Sequence, residues 1–206
     1  MLWEEVIKLL RFSKTAEEIN IKREELAAWM PAIRVMFDYD QNSQYHPYDL
    51  WMHCVHTVLG IDGKIEDDML FLAALLHDIG KPLSRCKGNK PDDSYSHYYG
   101  HQNKSEQIVR EEVIPYLSSK GVSFSQEDME RLLYYVKYHD DLVTIRENQL
   151  KRHLDMVDIV TFKNLMELEV ADAKAHAMFP IIQKRIDICS EWKDKKADEL
   201  KARLLE

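Results

Sequence analysis

Apolar residues recur three and four positions apart along most of the chain, and in one stretch they become continuous. Phe71-Leu72-Ala73-Ala74-Leu75-Leu76 places six apolar residues in a row and predicts a helix buried nearly all round. Asp67 or Asp68 is its expected N-cap, and Gly80 with Pro82 its expected stop. Upstream, Val6, Leu9 and Leu10 predict an amphipathic helix over residues 3–12 with Glu4 and Glu5 in its first turn. Thr15-Ala16-Glu17-Glu18 has the form of a capping box, and a helical pattern over 24–37 is interrupted where Pro31 can open a second turn. Residues 38–47 are polar and turn-rich, a loop entering a helix over about 49–59. The turn at 61–67 is short, so that helix and the central one are expected to lie antiparallel, letting His53 and His77 approach each other.

Downstream, residues 83–100 form a long polar loop, and Asn103 or Ser105 is the expected cap of a helix carrying Ile108, Val109, Val113 and Ile114. Ser125-Gln126-Glu127-Asp128 is a second capping box, starting a helix over 129–139 with Leu132, Leu133 and Val136 inward. Helical patterns continue over 146–156 and 157–176, the latter burying Phe162, Leu165, Leu168 and Val170. From Pro180, Ile181, Ile182, Ile186 and Ile188 lead into a charged terminal helix over 193–206, read as solvated. No strand alternation or internal repeat emerges. The expected class is all-α.

Composition narrows the picture. A chain of 206 residues, 45% of them apolar, is enough for one domain with a real core, and no stretch reaches the roughly 18 apolar residues of a membrane span. Met1-Leu2-Trp3-Glu4-Glu5 has no basic leader, so a cytoplasmic protein is expected. Cys54, Cys86 and Cys189 form no C-x-x-C pair, which argues against a disulfide framework and against a thiolate zinc site; any metal would be held by nitrogen and oxygen. A net charge of -8 is the wrong sign for clamping DNA or another phosphate backbone, but leaves a small phosphorylated substrate open.

Candidate chemistry gathers where the central helix ends. Asp78 in apolar surroundings, at the negative end of a helix, needs a cation. A divalent metal shared with His77 would supply it, and so would a plain buried His-Asp hydrogen bond; the dipeptide alone does not choose. Asp49, His53 and His56 fall on one helix face, and His53 and His56 beside His77 and Asp78 favour the metal. His101 projects from a helix entry as a plausible ligand, whereas Asp140 and Asp141 after His139 read as a solvated helix end. Asp38-Tyr39-Asp40 has D-x-D spacing, but without the glycine turn and strand of a nucleotidyltransferase it reads as loop.

His53, His77-Asp78, His101, His139 and Asp172 resemble, in order and spacing, the HD superfamily of metal-dependent phosphohydrolases. The likeness is nearest to the HD domain of bacterial CCA-adding tRNA nucleotidyltransferases. It is carried by Asp40-Gln41-Asn42, by Tyr45-His46-Pro47-Tyr48-Asp49-Leu50-Trp51-Met52-His53 and by Leu75 through Pro82. Tyr98-Tyr99-Gly100-His101, Val136-Lys137-Tyr138-His139-Asp140 and Glu169-Val170-Ala171-Asp172 fit as well. The strands and carboxylates of a nucleotidyltransferase head are missing.

The resemblance implies a single HD helical bundle over residues 1–206 with a core at about 25–176. It implies one divalent ion on His53, His77, Asp78 and Asp172, with His101 and His139 completing a second site. Such nitrogen and oxygen sets suit Mn, Fe, Co, Ni, Zn or Mg. Asp78 and Lys81 would be catalytic, and Lys81, His101 and His139 substrate-binding, with an ordinary helix C-terminal cation as the plain reading of Lys81. The implied reaction is hydrolysis, by metal-activated water, of a phosphomonoester or 2',3'-cyclic phosphodiester of a nucleotide or RNA end. Some HD nucleotidases carry Glu at the position of Lys81, and the G-Y-P element of cyclic-dinucleotide phosphodiesterases is absent, so neither of those substrates is expected. The alternative is a non-catalytic, metal-containing module that binds a nucleotide, RNA or a nucleotidyltransferase partner, although the acidic balance weighs against RNA. Nothing in the sequence sets the oligomeric state.

Overall fold

A computed structural model describes residues 1–88, 93–141, 147–195 and 199, with residues 147–149 described by backbone alone. Helix α1 (Trp3–Phe12) buries Val6 and Leu10, and α2 (Ala16–Asn20) starts where the Thr15 hydroxyl accepts from the Glu18 amide. The expected box at Thr15 is only half made, because the Glu18 carboxylate accepts from the Lys14 amide and the Thr15 hydroxyl rather than from the Thr15 amide. After α3 (Arg23–Trp29), Pro31 opens a 3₁₀ turn over Pro31–Met36, as its fixed φ and missing N–H allow. Asp49 caps α4 (Leu50–Gly60), and Asp67 caps α5 (Asp68–Leu76).

Helix α5 is the axis of the core. Every residue from Met69 to Leu76 is buried, which is why no hydrophilic face shows in its sequence. It packs against α1, α4 and two later helices, α9 (Gln126–Tyr138) and α11 (Ile159–Lys174). Asp67 staples three of these together: its Oδ1 accepts from the Met69 amide at 3.2 Å, and its Oδ2 accepts from Tyr135 Oη at 2.7 Å and Asn164 Nδ2 at 3.0 Å. Buried carboxylates need such partners.

Two expected boundaries move. The central helix ends at Leu76 rather than just beyond Asp78, and Pro82, expected to help stop it, lies in the first turn of a separate short helix, α6 (Lys81–Ser84), behind Gly80. Proline without an N–H suits a helix start as well as it suits a stop. Helix α7 (His101–Ile108) begins at His101 itself, after a left-handed Gly100 at φ 75°, so Asn103 and Ser105 lie inside it. It continues through a π turn at Val109–Val113 into α8 (Ile114–Ser119). The loop before α7 contains the smallest of ladders, β1 (Cys86–Lys87) antiparallel to β2 (Ser96–His97), which the all-helical pattern did not predict.

The Ser125 box forms in full at the start of α9. Helix α10 (Glu147–Met156) follows, Arg146 lying outside the described residues, and Asp158 caps α11 with three bonds to the Val160 and Thr161 amides and the Thr161 hydroxyl. Helix α12 (Pro180–Asp194) is a packed element rather than the lead into a solvated tail: Ile182, Cys189 and Trp192 bury against the fold while Ile181 faces solvent. Most of the tail expected over 193–206 lies outside the described residues. Cys54, Cys86 and Cys189 are free. No helix among the described residues is long and apolar enough to cross a membrane.

Candidate metal centre

Five helix ends point inward at the foot of α5. His53 comes from the first turn of α4, His77 and Asp78 from the turn after α5, His101 from the start of α7, and His139 from the end of α9. Asp172 comes from the last turns of α11. All six expected ligands are buried together. Asp172 Oδ1 stands 3.0 Å from His53 Nε2 and 3.5 Å from His77 Nε2. Asp78 Oδ2 lies 3.4 and 3.3 Å from the same two nitrogens, while its Oδ1 lies 3.0 Å from His101 Nε2 and 3.5 Å from His139 Nε2. The ligand atoms therefore form two trios, His53/His77/Asp172 and Asp78/His101/His139, each within a 4.8 Å span, with Asp78 reaching both.

The backbone sets which nitrogen faces the cluster. The Nδ1–H groups of His77, His101 and His139 donate to the carbonyls of Ala74 (2.9 Å), Tyr98 (2.8 Å) and Val136 (2.8 Å). Each ring then turns its Nε2 inward, the arrangement in which metal-bound imidazoles are held. His101 Nε2 and His139 Nε2 stand 3.1 Å apart, two acceptors facing one another. His53 Nε2, His77 Nε2, Asp78 Oδ1 and Asp172 Oδ1 are buried without a well-aligned hydrogen bond. Such a set is costly unless something positive sits among it. Donors held at 2.0–2.2 Å from one ion stand roughly 3.0–3.6 Å from each other, which is the spacing present. The residues fit a divalent ion, with Asp78 able to serve two.

Protonation follows from the same charges. Burial works against both carboxylates, yet Lys81 and His77, with His101 and His139 close by, hold the Asp78 carboxyl well below its usual range, and His176 and Arg185, with His53 and His77 close by, do so for Asp172. Burial also opposes protonation of His77, but the charge of Asp78, helped by Cys54 and Asp172, outweighs it and raises its pKa well above the ordinary value. Burial lowers His139, against the pull of Asp78.

A cavity of about 360 Å³ opens over the cluster, and beside Asp78, His101, His139 and Asp172 its walls include His46, Lys81, His176 and Arg185. Lys81 is buried; its ammonium donates to Asp78 Oδ2 at 2.6 Å, Gln41 Oε1 at 2.9 Å and His46 Nε2 at 3.3 Å. All three of its hydrogens therefore have protein acceptors. Arg185 bonds Asp172 Oδ2 at 3.0 Å and the His139 carbonyl at 2.6 Å. His176, its Nδ1–H donating to the Asp172 carbonyl at 2.8 Å, stacks close to His46 at 4.4 Å between ring centroids. Burial, then Lys81 and the neighbouring imidazoles, push His46 far down, and burial takes His176 to about 4 despite Asp172.

Sequence reasoning missed part of this. His46 and Gln41 stood only inside quoted motifs, His176 only as the end of a helix, and Arg185 not at all; nothing distinguishes Arg185 in sequence from the exposed cations around it. His56 falls away from the cluster: three residues after His53 it is turned about 60° round the helix, and it stacks on Tyr48 at 4.2 Å. Asp140 is exposed at the cavity edge, whereas Asp141 is not simply solvated but pairs with Arg152 and lies 3.4 Å from His153 Nε2.

A model of the HD domain matches residues 45–203. Multifunctional CCA proteins are similar over about half of the chain: that of Azoarcus sp. (strain BH72) is 28% identical over 113 residues, covering 53% of this chain and 26% of the relative. That of Cupriavidus necator is 26% identical over 113 residues, with the same coverage. That of Nitrosococcus oceani is 31% identical over 112 residues, 52% of this chain and 26% of the relative. The chain thus matches about a quarter of the length of these relatives. No solved structure matches it significantly. HD domains are generally metal-dependent phosphohydrolases that bind divalent ions. With the model spanning most of the sequence and the paired His-Asp dyad at the centre of an all-helical bundle, the chain belongs to the HD-domain family.

Proposed function

We propose that the protein is a metal-dependent phosphohydrolase, a single HD unit that cleaves a phosphomonoester or 2',3'-cyclic phosphodiester of a nucleotide or RNA end. The observation that carries this is the set of buried, unpaired nitrogen and oxygen atoms 3.0–3.5 Å apart at the floor of a cavity whose walls include Lys81 and Arg185. His53, His77, Asp78 and Asp172 would hold one divalent ion, and Asp78, His101 and His139 a second.

A divalent ion bound there supplies Lewis-acid polarisation of a phosphoryl oxygen and lowers the pKa of water toward neutrality. The chain's own residues supply the rest. Lys81 fixes Asp78 through its 2.6 Å bond and keeps the carboxylate ionised, so its first role is to position a ligand; its charge also faces the phosphate in the cavity. Arg185 does the same for Asp172 from the opposite side. His46 and His176, both held neutral by burial, line the cavity without adding charge that would expel a metal. If only the first ion is bound, a His101 or His139 that takes up a proton on Nε2 can bond the substrate phosphate or pass that proton to the leaving oxygen.

The test is elemental analysis of the purified protein together with turnover of p-nitrophenyl phosphate, bis-p-nitrophenyl phosphate and 2',3'-cyclic AMP in Mn, Co, Ni, Zn and Mg. Wild type should retain a divalent ion and turn over at least one ester, and Asp78→Ala should lose more than about 100-fold, beyond what removal of a mere supporting residue does. Bound metal with no turnover above Asp78→Ala overturns the hydrolase reading and favours the binding module.

A further inference from the structure

Among the described residues that line the cavity, the carbocyclic rings are Tyr98 and Tyr99, and they are used differently. Tyr98 belongs to the wall. Its hydroxyl donates to the Gln41 carbonyl at 2.6 Å, and Lys81 Nζ lies 5.6 Å from its ring centroid. Tyr99 remains 64% exposed at the mouth. A single exposed tyrosine is ordinary. This one is held in place: its hydroxyl donates to His97 Nδ1 at 3.2 Å, its ring lies against the His97 ring at 5.4 Å and 18°, and His97 Nε2 in turn donates to Asp93 at 2.7 Å. The fixed ring therefore keeps apolar area that no side chain covers, at the edge of a cavity whose other walls are polar.

Its place relative to the phosphate site is also defined. Tyr99 and His101, two residues apart, both line this cavity, their Cα atoms at most about 7 Å from each other. That is comparable to the ribose between phosphate and base in a nucleotide. Between them Gly100 is left-handed at φ 75° with nothing within 4 Å of where a Cβ would stand, so the mouth is open on that side. A pocket with Lys81, Arg185 and a candidate metal cluster in its walls, flanked by a flat ring held at its mouth, is the pairing by which proteins hold nucleotides without reading sequence, since every base presents a π-face.

We infer that Tyr99 is the platform on which the base of a nucleotidyl substrate stacks while its phosphate lies against the His-Asp cluster. The substrate class is then base-bearing phosphate esters, in preference to sugar or glycerol phosphates of the same charge. This rests on the phosphohydrolase reading for the fate of the phosphate and is independent of it for binding.

Equilibrium dialysis of 2'-AMP and of glycerol 2-phosphate against wild type, Tyr99→Ala and Tyr99→Phe tests it, with a short 3'-phosphorylated oligoribonucleotide as a third probe. Wild type should bind 2'-AMP or the oligonucleotide at least about tenfold more tightly than glycerol 2-phosphate. Tyr99→Ala should erase that preference, and Tyr99→Phe, which keeps the ring, should retain it. A preference confined to the oligonucleotide identifies an RNA end as the occupant; one present with 2'-AMP identifies a free nucleotide. No preference in wild type, or equal weakening of all three probes in Tyr99→Ala, overturns the inference even if cyclic esters are hydrolysed. Tyr99-dependent binding without any turnover instead sinks the hydrolase reading and leaves the platform standing.

Discussion

Asp172 is charged although almost wholly buried, and Arg185 makes that tolerable. Its guanidinium spans Asp172 Oδ2 and the His139 carbonyl, with Nε 3.5 Å from Glu169 Oε2. Burial works against the charge on Arg185, but Asp172 and Glu169 outweigh it and push the pKa further up, so the cation persists at any ordinary pH. Removing one member of a buried pair leaves the other uncompensated, which typically costs about 3–5 kcal/mol. Arg185→Met should destabilise the fold by that order in urea titration and, because Asp172 loses its orientation, weaken divalent-ion binding about 10- to 100-fold. Arg185→Lys, which cannot span both acceptors, should fall between. Unchanged metal affinity in Arg185→Met would mean that Asp172 is not a ligand or needs no support.

At the scale of elements, the site depends on the turn after α5 lying tightly under the start of α7. A Cβ on Gly80 would stand 2.4 Å from the Ser105 amide nitrogen, 2.6 Å from the His101 carbonyl oxygen and 2.8 Å from the Lys104 carbonyl carbon, all backbone atoms that cannot swing aside. The Gly80 amide also donates to Ser105 Oγ at 2.9 Å in a buried setting. Gly80→Ala should therefore destabilise by about 1–3 kcal/mol, as overpacking does. It should also push α7, and His101 with it, away from Asp78. Calorimetry should show the first effect and a fall in the second equivalent of bound metal the second. In sequence Gly80 reads only as a helix breaker, because what it avoids is a backbone 25 residues further on. The elements whose starts are written locally, at Asp49, Asp67, Ser125 and Asp158, were legible or nearly so. The start of α7 was not, since a left-handed glycine carries no side-chain signature of a cap.

Across the whole molecule, legibility falls with sequence distance. The His77-Asp78 pair announces itself by its apolar approach and His53 by its helix face, but Asp172 and His139 join them only through the HD resemblance, and the roles of His46, His176 and Arg185 appear only once α12 is seen packed on α11. That packing encloses one further acid whose titration the whole fold should register. Glu169 is fully buried; its Oε1 has no hydrogen bond, and its Oε2 accepts from Cys189 Sγ at 3.3 Å. Burial pushes its carboxyl up to about 8 despite Arg185 and Cys189, from an ordinary value of 4.5. A raised acid binds its proton in the folded state while the unfolded chain has released it. Its favourable contribution is therefore complete below pH 4.5 and declines through pH 8, at about 1.4 kcal/mol per pH unit inside that window. Glu169→Gln keeps the size and hydrogen-bonding capacity and removes the proton. In urea unfolding with EDTA at pH 5, 6.5 and 8, the variant should gain on wild type as the pH rises, whereas parallel curves would show that Glu169 is ionised in the fold and already paired with Arg185.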